Sequence, residues 1–274
     1  MNKLYKLLPV LFLTLTLTGC IDVQYKMFLR TDGSGTIEET VYMNSAMVQM
    51  LKGFMAMGND STNHEEFSLF DEDDLRNEAK GLGKGVRYVS GEALKENGRE
   101  GYKAIFEFDD INKIKMNEDV SDKTSPFDED EEDTPEDDIT FKFTKGNPAT
   151  LVIYMPDDEE KETEIEEEEV EVETGTNDED DEWTEEMKSI MKDFRIAISI
   201  EFEGDIVETN ATNVDGSTIT LLELSFVKIM DDPENIKKLK GLGENASHEK
   251  TKELLKDIPG IKFEANQEVK VVFE

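Results

Sequence analysis

The plainest pattern along this chain is alternation. Val23, Tyr25, Met27 and Leu29 stand at every second position against Gln24, Lys26 and Arg30, and after Asp32-Gly33-Ser34-Gly35 apolar residues resume at Ile37, Val41 and Met43. A period of two puts the apolar set on one face of a strand, and the glycines supply the positive φ of a tight reversal, so the stretch predicts a β-hairpin. The period then changes. Met47, Val48, Met50, Leu51, Phe54 and Met55 recur at three- and four-residue intervals, which predicts a helix over 45–57, capped by Asn44 and packed on the hairpin. A second helix is predicted over 71–80, ended by Gly81 and Gly83, then strands over 86–90 and 102–108 and a short helix after Asp109.

Two further strands, 139–144 and 150–155, flank a turn at Gly146-Asn147-Pro148 and are expected to extend the same sheet. After a predicted helix over 183–192, Ile196, Ile198, Ile200 and Phe202 share one face of the clearest strand in the chain. The run from Gly204 to Asn210 reads as its hairpin partner, and a turn at Asp215-Gly216 returns a strand over 218–224. Asp232, with Pro233 in the first turn, and Ser247 are placed to cap short helices, and final strands are expected over 261–263 and 269–273. The fold class is therefore α+β: one or two antiparallel sheets of hairpins, with helices packed on one face and acidic disordered loops interrupting them.

Charge sharpens the division into parts. The chain has 66 acidic and 30 basic residues, a formal charge of −36, but nine acids fall in the eleven residues 128–138 and seventeen in the twenty-six residues 157–182. Outside those two runs 40 acids face 29 bases, a charge of −11, so the acidity belongs mostly to low-complexity stretches expected to stay solvated under their own repulsion. This predicts a region over 20–156 with an acidic loop at 118–138, an acidic linker over 157–182, and a second α+β region over 183–274, sharing a sheet with the first or building its own. Nucleic acid is excluded as an expected partner, because neutralising phosphates needs a basic face.

The first twenty residues carry the most specific signal. Lys3 and Lys6 precede an apolar run from Leu7 to Leu17 that is too short for a permanent membrane span, and the run closes on Leu17-Thr18-Gly19-Cys20. This resembles the lipobox of bacterial lipoproteins at every position, and Cys20 is the chain's single cysteine. The resemblance implies a signal peptide over 1–19, cleavage between Gly19 and Cys20, and a diacylglyceryl thioether on Cys20 that anchors the chain to a membrane. By analogy with the sorting rule of enteric bacteria, Ile21 rather than Asp after the cysteine favours the outer membrane facing the periplasm. With no cysteine pair, no disulfide supports the fold.

The lipobox, the hairpin around Asp32-Gly33-Ser34-Gly35, and the later Gly204-Asp205-Ile206-Val207-Glu208-Thr209-Asn210 with Asp215-Gly216-Ser217-Thr218 together resemble the LppM-like domain of bacterial lipoproteins. Leu221 or Leu222 stands where that family commonly has an aromatic. The resemblance implies an α+β fold and an envelope role in contact with lipid or glycolipid, and it carries over no catalytic residue.

Candidate chemistry is sparse. Histidines number two, His64 in a polar loop and His248 in a helix's first turn, and no nucleophile elbow, phosphate loop or zinc-binding His pair occurs. The loop Ala211 to Gly216 fails as a calcium-binding loop, since Ala211 offers no side-chain oxygen and Leu222 stands where the bidentate acid should be. No cofactor and no metal ligand is expected, and the chain reads as no enzyme. The methionine-rich helix is expected either to pack in the core or to line an apolar groove through Met47, Met50, Leu51 and Phe54. Three functions follow: a noncatalytic structural or assembly partner of another envelope protein, a lipid or glycolipid binder using that groove, or a glycan hydrolase with a carboxylate pair that the sequence does not expose.

Overall fold

The computed structural model describes residues 21–58, 68–117, 138–156, 194–232, 234–235, 238 and 255–274. The acidic stretches apart from Asp138, the helix expected over 183–192, both histidines, and Gly19 and Cys20 lie outside these residues.

β1 (Ile21–Leu29) and β2 (Gly35–Asn44) form the predicted hairpin, pairing from Ile21 with Met43 to Leu29 with Gly35. The turn is held by Asp32, whose carboxylate accepts the Ser34 backbone N–H at 2.9 Å and its hydroxyl at 2.7 Å, which keeps that carboxyl below the usual range. Gly33 is at φ +91°, and a Cβ there would come within 2.7 Å of the Phe143 ring, so conformation and close packing both require glycine. α1 (Ser45–Gly58) starts where β2 ends and buries Met47, Val48 and Leu51. α2 (Glu72–Gly81) begins with Asp71 accepting from the backbone of Asp73 and Asp74, with three acids in its first turn and Lys80 in its last, as the helix dipole favours. β3 (Arg87–Glu96) and β4 (Arg99–Phe108) then make a second long hairpin on the outer side of β2, turning at Asn97-Gly98 with positive φ at both. A single 3₁₀ turn, Ile111–Lys113, stands where a short helix was expected after Asp109.

The remaining strands are β5 (Lys115–Asn117), β6 (Asp138–Thr144), β7 (Ala149–Tyr154), β8 (Arg195–Phe202), β9 (Ile206–Thr209), β10 (Val214–Asp215), β11 (Thr218–Ser225), β12 (Ile261–Phe263) and β13 (Glu268–Phe273), with α3 (Phe226–Met230) after β11. An eight-stranded sheet runs β10-β11-β8-β1-β2-β4-β3 with β12 beside β11, and a five-stranded sheet runs β5-β6-β7-β13-β9.

Three expectations are corrected by this topology. First, β6 and β7 do not extend the sheet of the first hairpin; they belong to the five-stranded sheet, where β7 pairs with the final strand β13. Second, the residues after β8 do not fold back on it. Gly204, at φ +84°, turns the chain out of one sheet into the other, where Asp205 exchanges backbone hydrogen bonds with Glu274 and β9 joins β13. The antiparallel partner of β8 is β11 instead. Third, the sheets are not wholly antiparallel: β8 lies parallel to β1, from Asp22 with Arg195 to Leu29 with Phe202. A parallel neighbour cannot be reached by a tight turn, and here residues 30–194 separate the two strands in sequence.

One core unites the two sheets. The alternating residues of β1, β2, β4, β8 and β11 face those of β6, β7 and β13, with Phe202 and Phe273 meeting at 4.8 Å between ring centroids. α1 and α2 contribute Met47, Val48, Leu51, Leu75 and Ala79 to the same cluster, so the α+β character holds while strands supply most of the core.

Candidate functional site

Of the residues predicted to line an apolar groove, Met47 and Leu51 are buried in the core, Met50 packs partly buried against it, and Phe54 lies in α1 with its side chain outside the described set. An open cavity of about 310 Å³ does lie beside α1, formed by its Val48 and Lys52, by Leu69 and Phe70, and by Leu94 and Lys95 of β3. Lys95 donates to Glu100 on its rim at 2.8 Å, which with Lys52 nearby holds that carboxyl below its usual range. A second cavity, of about 320 Å³, lies between Thr212, Asn213 and the stretch Ile261 to Ala265, with Lys256 and Lys262 at its edge. Among the described residues, neither cavity brings two carboxyl groups together.

Two titratable centres occupy the eight-stranded sheet. On β2, Glu39 stands at the core parity between Ile37 and Val41 and is fully buried. Tyr102 on β4 donates its hydroxyl to Glu39 Oε1 at 2.8 Å, and Tyr25, paired with Glu39 across the β1–β2 ladder, donates to the same oxygen at 3.4 Å. Burial, with the Glu39 and Glu78 carboxyls nearby, pushes Tyr102 far above the ordinary tyrosine range. A group sealed at this depth meets no substrate unless the core opens.

The other centre lies at the sheet end where β1 begins. Glu223 of β11 accepts from Lys228 at 2.8 Å, lies 3.0 Å from Lys262 and 3.8 Å from Arg195. Burial alone would raise the Glu223 carboxyl, but Lys228 and Lys262 outweigh it and hold the group below its usual range. Next to it, Asp22 accepts from Gln24 at 2.9 Å and Arg99 at 3.4 Å, yet burial prevails and pushes its carboxyl up. Arg99 also lies 4.4 Å from the centroid of the Tyr42 ring.

No family model matches the chain, and no curated protein matches it. Among solved structures it bears a loose likeness to the NMR structure of the folded domain of Mycobacterium tuberculosis LppM, at 8% identity over 76% of this chain and 84% of that one, with a TM-score of 0.31.

The two centres escaped sequence reading for different reasons. Glu39 left a signal, a charged residue at the core position of the run Ile37-x-Glu39-x-Val41-x-Met43, while its phenol partners come from strands on either side. Glu223 left none, because Arg195, Lys228 and Lys262 converge only once β8, α3 and β12 surround β11. Among the described residues no group of His, Cys, Asp and Glu is arranged to hold a metal, and no helix is long and apolar enough to cross a membrane.

Proposed function

We propose that this chain is a membrane-anchored envelope lipoprotein that acts without catalysis, as a structural or assembly partner of another envelope protein. The observation that supports this most is the start of the fold. Leu17-Thr18-Gly19-Cys20 has the lipobox pattern, and the very next residue, Ile21, is already the first of β1 and 1% exposed. A lipid on Cys20 would therefore be joined to a central strand of the larger sheet with no spacer. Such an attachment suits a part held in position better than one that must reach for a solute. The sorting analogy at Ile21 extends the proposal to the outer membrane, facing the periplasm.

Replacing Cys20 tests it. In Cys20→Ser the lipidated nucleophile is gone, so metabolic acyl labelling should vanish and the chain should accumulate with its signal uncleaved. Continued labelling of that variant would reject the anchor. Extraction of the native chain in mild detergent, followed by mass spectrometry, should then recover a stoichiometric envelope protein. Recovery of stoichiometric lipid instead would favour a lipid or glycolipid binder, a second reading supported by the cavity beside α1, where Val48, Leu69, Phe70 and Leu94 meet Lys52 and Lys95.

A further inference from the structure

We infer that the sheet end at the start of β1 is a membrane-contacting surface, on which Phe194, Phe226 and Val227 meet the lipid interface and Lys228, Lys262 and Arg195 meet anionic headgroups. The inference rests on the proposed anchor and adds an orientation to it. Consecutive Cα atoms are about 3.8 Å apart, so a lipid on Cys20 holds Ile21 within roughly 10 Å of the headgroup layer, the depth over which interfacial segments act. Whatever shares the sheet end with Ile21 is carried there too.

Strand register says what does. Asp22 pairs with Arg195, and Arg195 with Ser225, so the starts of β8 and α3 lie level with the start of β1. There Phe226 donates its backbone N–H to the Phe194 carbonyl at 3.1 Å, and the two rings meet edge to face at 5.3 Å. Val227 follows, 47% exposed, one of the few large apolar side chains so open among the described residues. Lys228 and Lys262 both point to Glu223, yet their side chains remain 52% and 48% exposed. Each ammonium has three donors, so binding one carboxylate leaves capacity for a phosphate oxygen. Aromatic rings beside lysines are the composition that settles at a lipid–water interface. The rest of this strongly acidic chain offers an anionic membrane little reason to approach.

The single cysteine makes the test clean, because acylation consumes it. Val227→Cys and Val89→Cys would each give the acylated full-length chain one free thiol for a fluorophore. Val89 is 54% exposed and lies by β3 residues that align, through β4 and β2, with Met27, six positions and about 20 Å along from Ile21. In phosphatidylethanolamine–phosphatidylglycerol vesicles with brominated acyl chains, the label at 227 should be quenched severalfold more than the label at 89. Aqueous iodide should show the reverse order. Exchanging phosphatidylglycerol for phosphatidylcholine, or introducing Lys228→Gln with Lys262→Gln, should reduce the difference. Equal quenching at both sites in a chain that is acylated and floats with the vesicles would overturn the orientation alone. A chain that carries no acyl group and does not float would overturn the anchor, and the orientation with it.

Discussion

Two buried glutamates of the same sheet, Glu39 on the core face and Glu223 on the face opposite Ile198 and Ile200, are accommodated in opposite ways. Glu39 lies mid-sheet, fully buried, and takes its hydrogen bonds from the phenols of Tyr102 and Tyr25. Glu223 lies near the sheet's end, 6% exposed, and takes its partners from Lys228, Lys262 and Arg195. Depth decides the difference. A cation drawn to the position of Glu39 would itself lose its hydration, and pairing seldom repays two such losses. A tyrosine brings a neutral donor on an apolar ring that already belongs in the core. Near the sheet's end, lysine stems can lie along apolar surface while their ammonium groups stay wet, so the charged solution costs little. The deep centre is thus built to be left alone, and the shallow one remains open to solvent, salt and other partners.

The largest expected effect tests the deep centre. Glu39→Ala should leave two hydroxyls without their acceptor and a void beside them, costing about 3 kcal/mol or more of folding stability. Glu39→Gln keeps a carbonyl oxygen for Tyr102 and should cost about half as much. Chemical denaturation of both variants checks the order, and a Glu39→Ala variant no less stable than Glu223→Ala would break the comparison.

Next comes Tyr102→Phe, expected to cost roughly 1–2 kcal/mol, with Tyr25→Phe costing less because its contact is 3.4 Å rather than 2.8 Å. pH gives an independent readout. Tyr102 is pushed above its ordinary value of 10.0, so the unfolded chain loses that proton first. Stability should be level below pH 10 as far as this group is concerned and should fall as pH rises beyond it. Phenolate absorbance should show Tyr102 ionising only with unfolding, and Tyr102→Phe should flatten that alkaline fall.

Much of this architecture could be read from periodicity, and the limits of that reading are physical. The first hairpin was legible because Val23 to Met43 alternates and Asp32-Gly33 marks the turn; α1, α2 and the strands β6, β7, β8, β11 and β13 were legible from their own periods. Pairing was not. A period of two says that Ile198 and Ile200 share a face, but their strand finds β1 about 170 residues earlier through backbone hydrogen bonds that leave no mark on side-chain order. The turn at Asn97-Gly98 was a local signal that went unread, and with it the outer halves of β3 and β4. Gly204 reads as a hairpin residue, and only its neighbourhood, with the Glu274 carbonyl 2.1 Å from any Cβ placed there, shows that it is a crossing point between sheets. At the candidate sites, Met47 and Leu51 were legible as apolar helix positions, but their sequence spacing does not say whether that face closes onto a core or lines a cavity.

The smallest effect belongs to the shallow centre. Glu223→Gln should cost about 1 kcal/mol, because its lysine partners are half exposed and solvent already screens them. Its carboxyl is held below the ordinary value of 4.5, so the folded chain keeps the charge to lower pH than the unfolded chain does. The stabilisation is therefore complete above about pH 4.5 and disappears as pH falls through the lowered folded value. Asp22 contributes with the opposite sign, since burial raises its carboxyl and the folded chain takes up that proton first as pH falls. Acid denaturation of the two variants separates them: Glu223→Gln should flatten the loss of stability at low pH, whereas Asp22→Asn should steepen it. Salt divides deep from shallow once more, because screening at about 10 Å in 0.1 M salt reaches the lysines around Glu223 and not the phenols around Glu39. The cost of Glu223→Gln should shrink with added salt while that of Glu39→Gln stays constant, and equal salt dependence would show that the two glutamates share one environment after all.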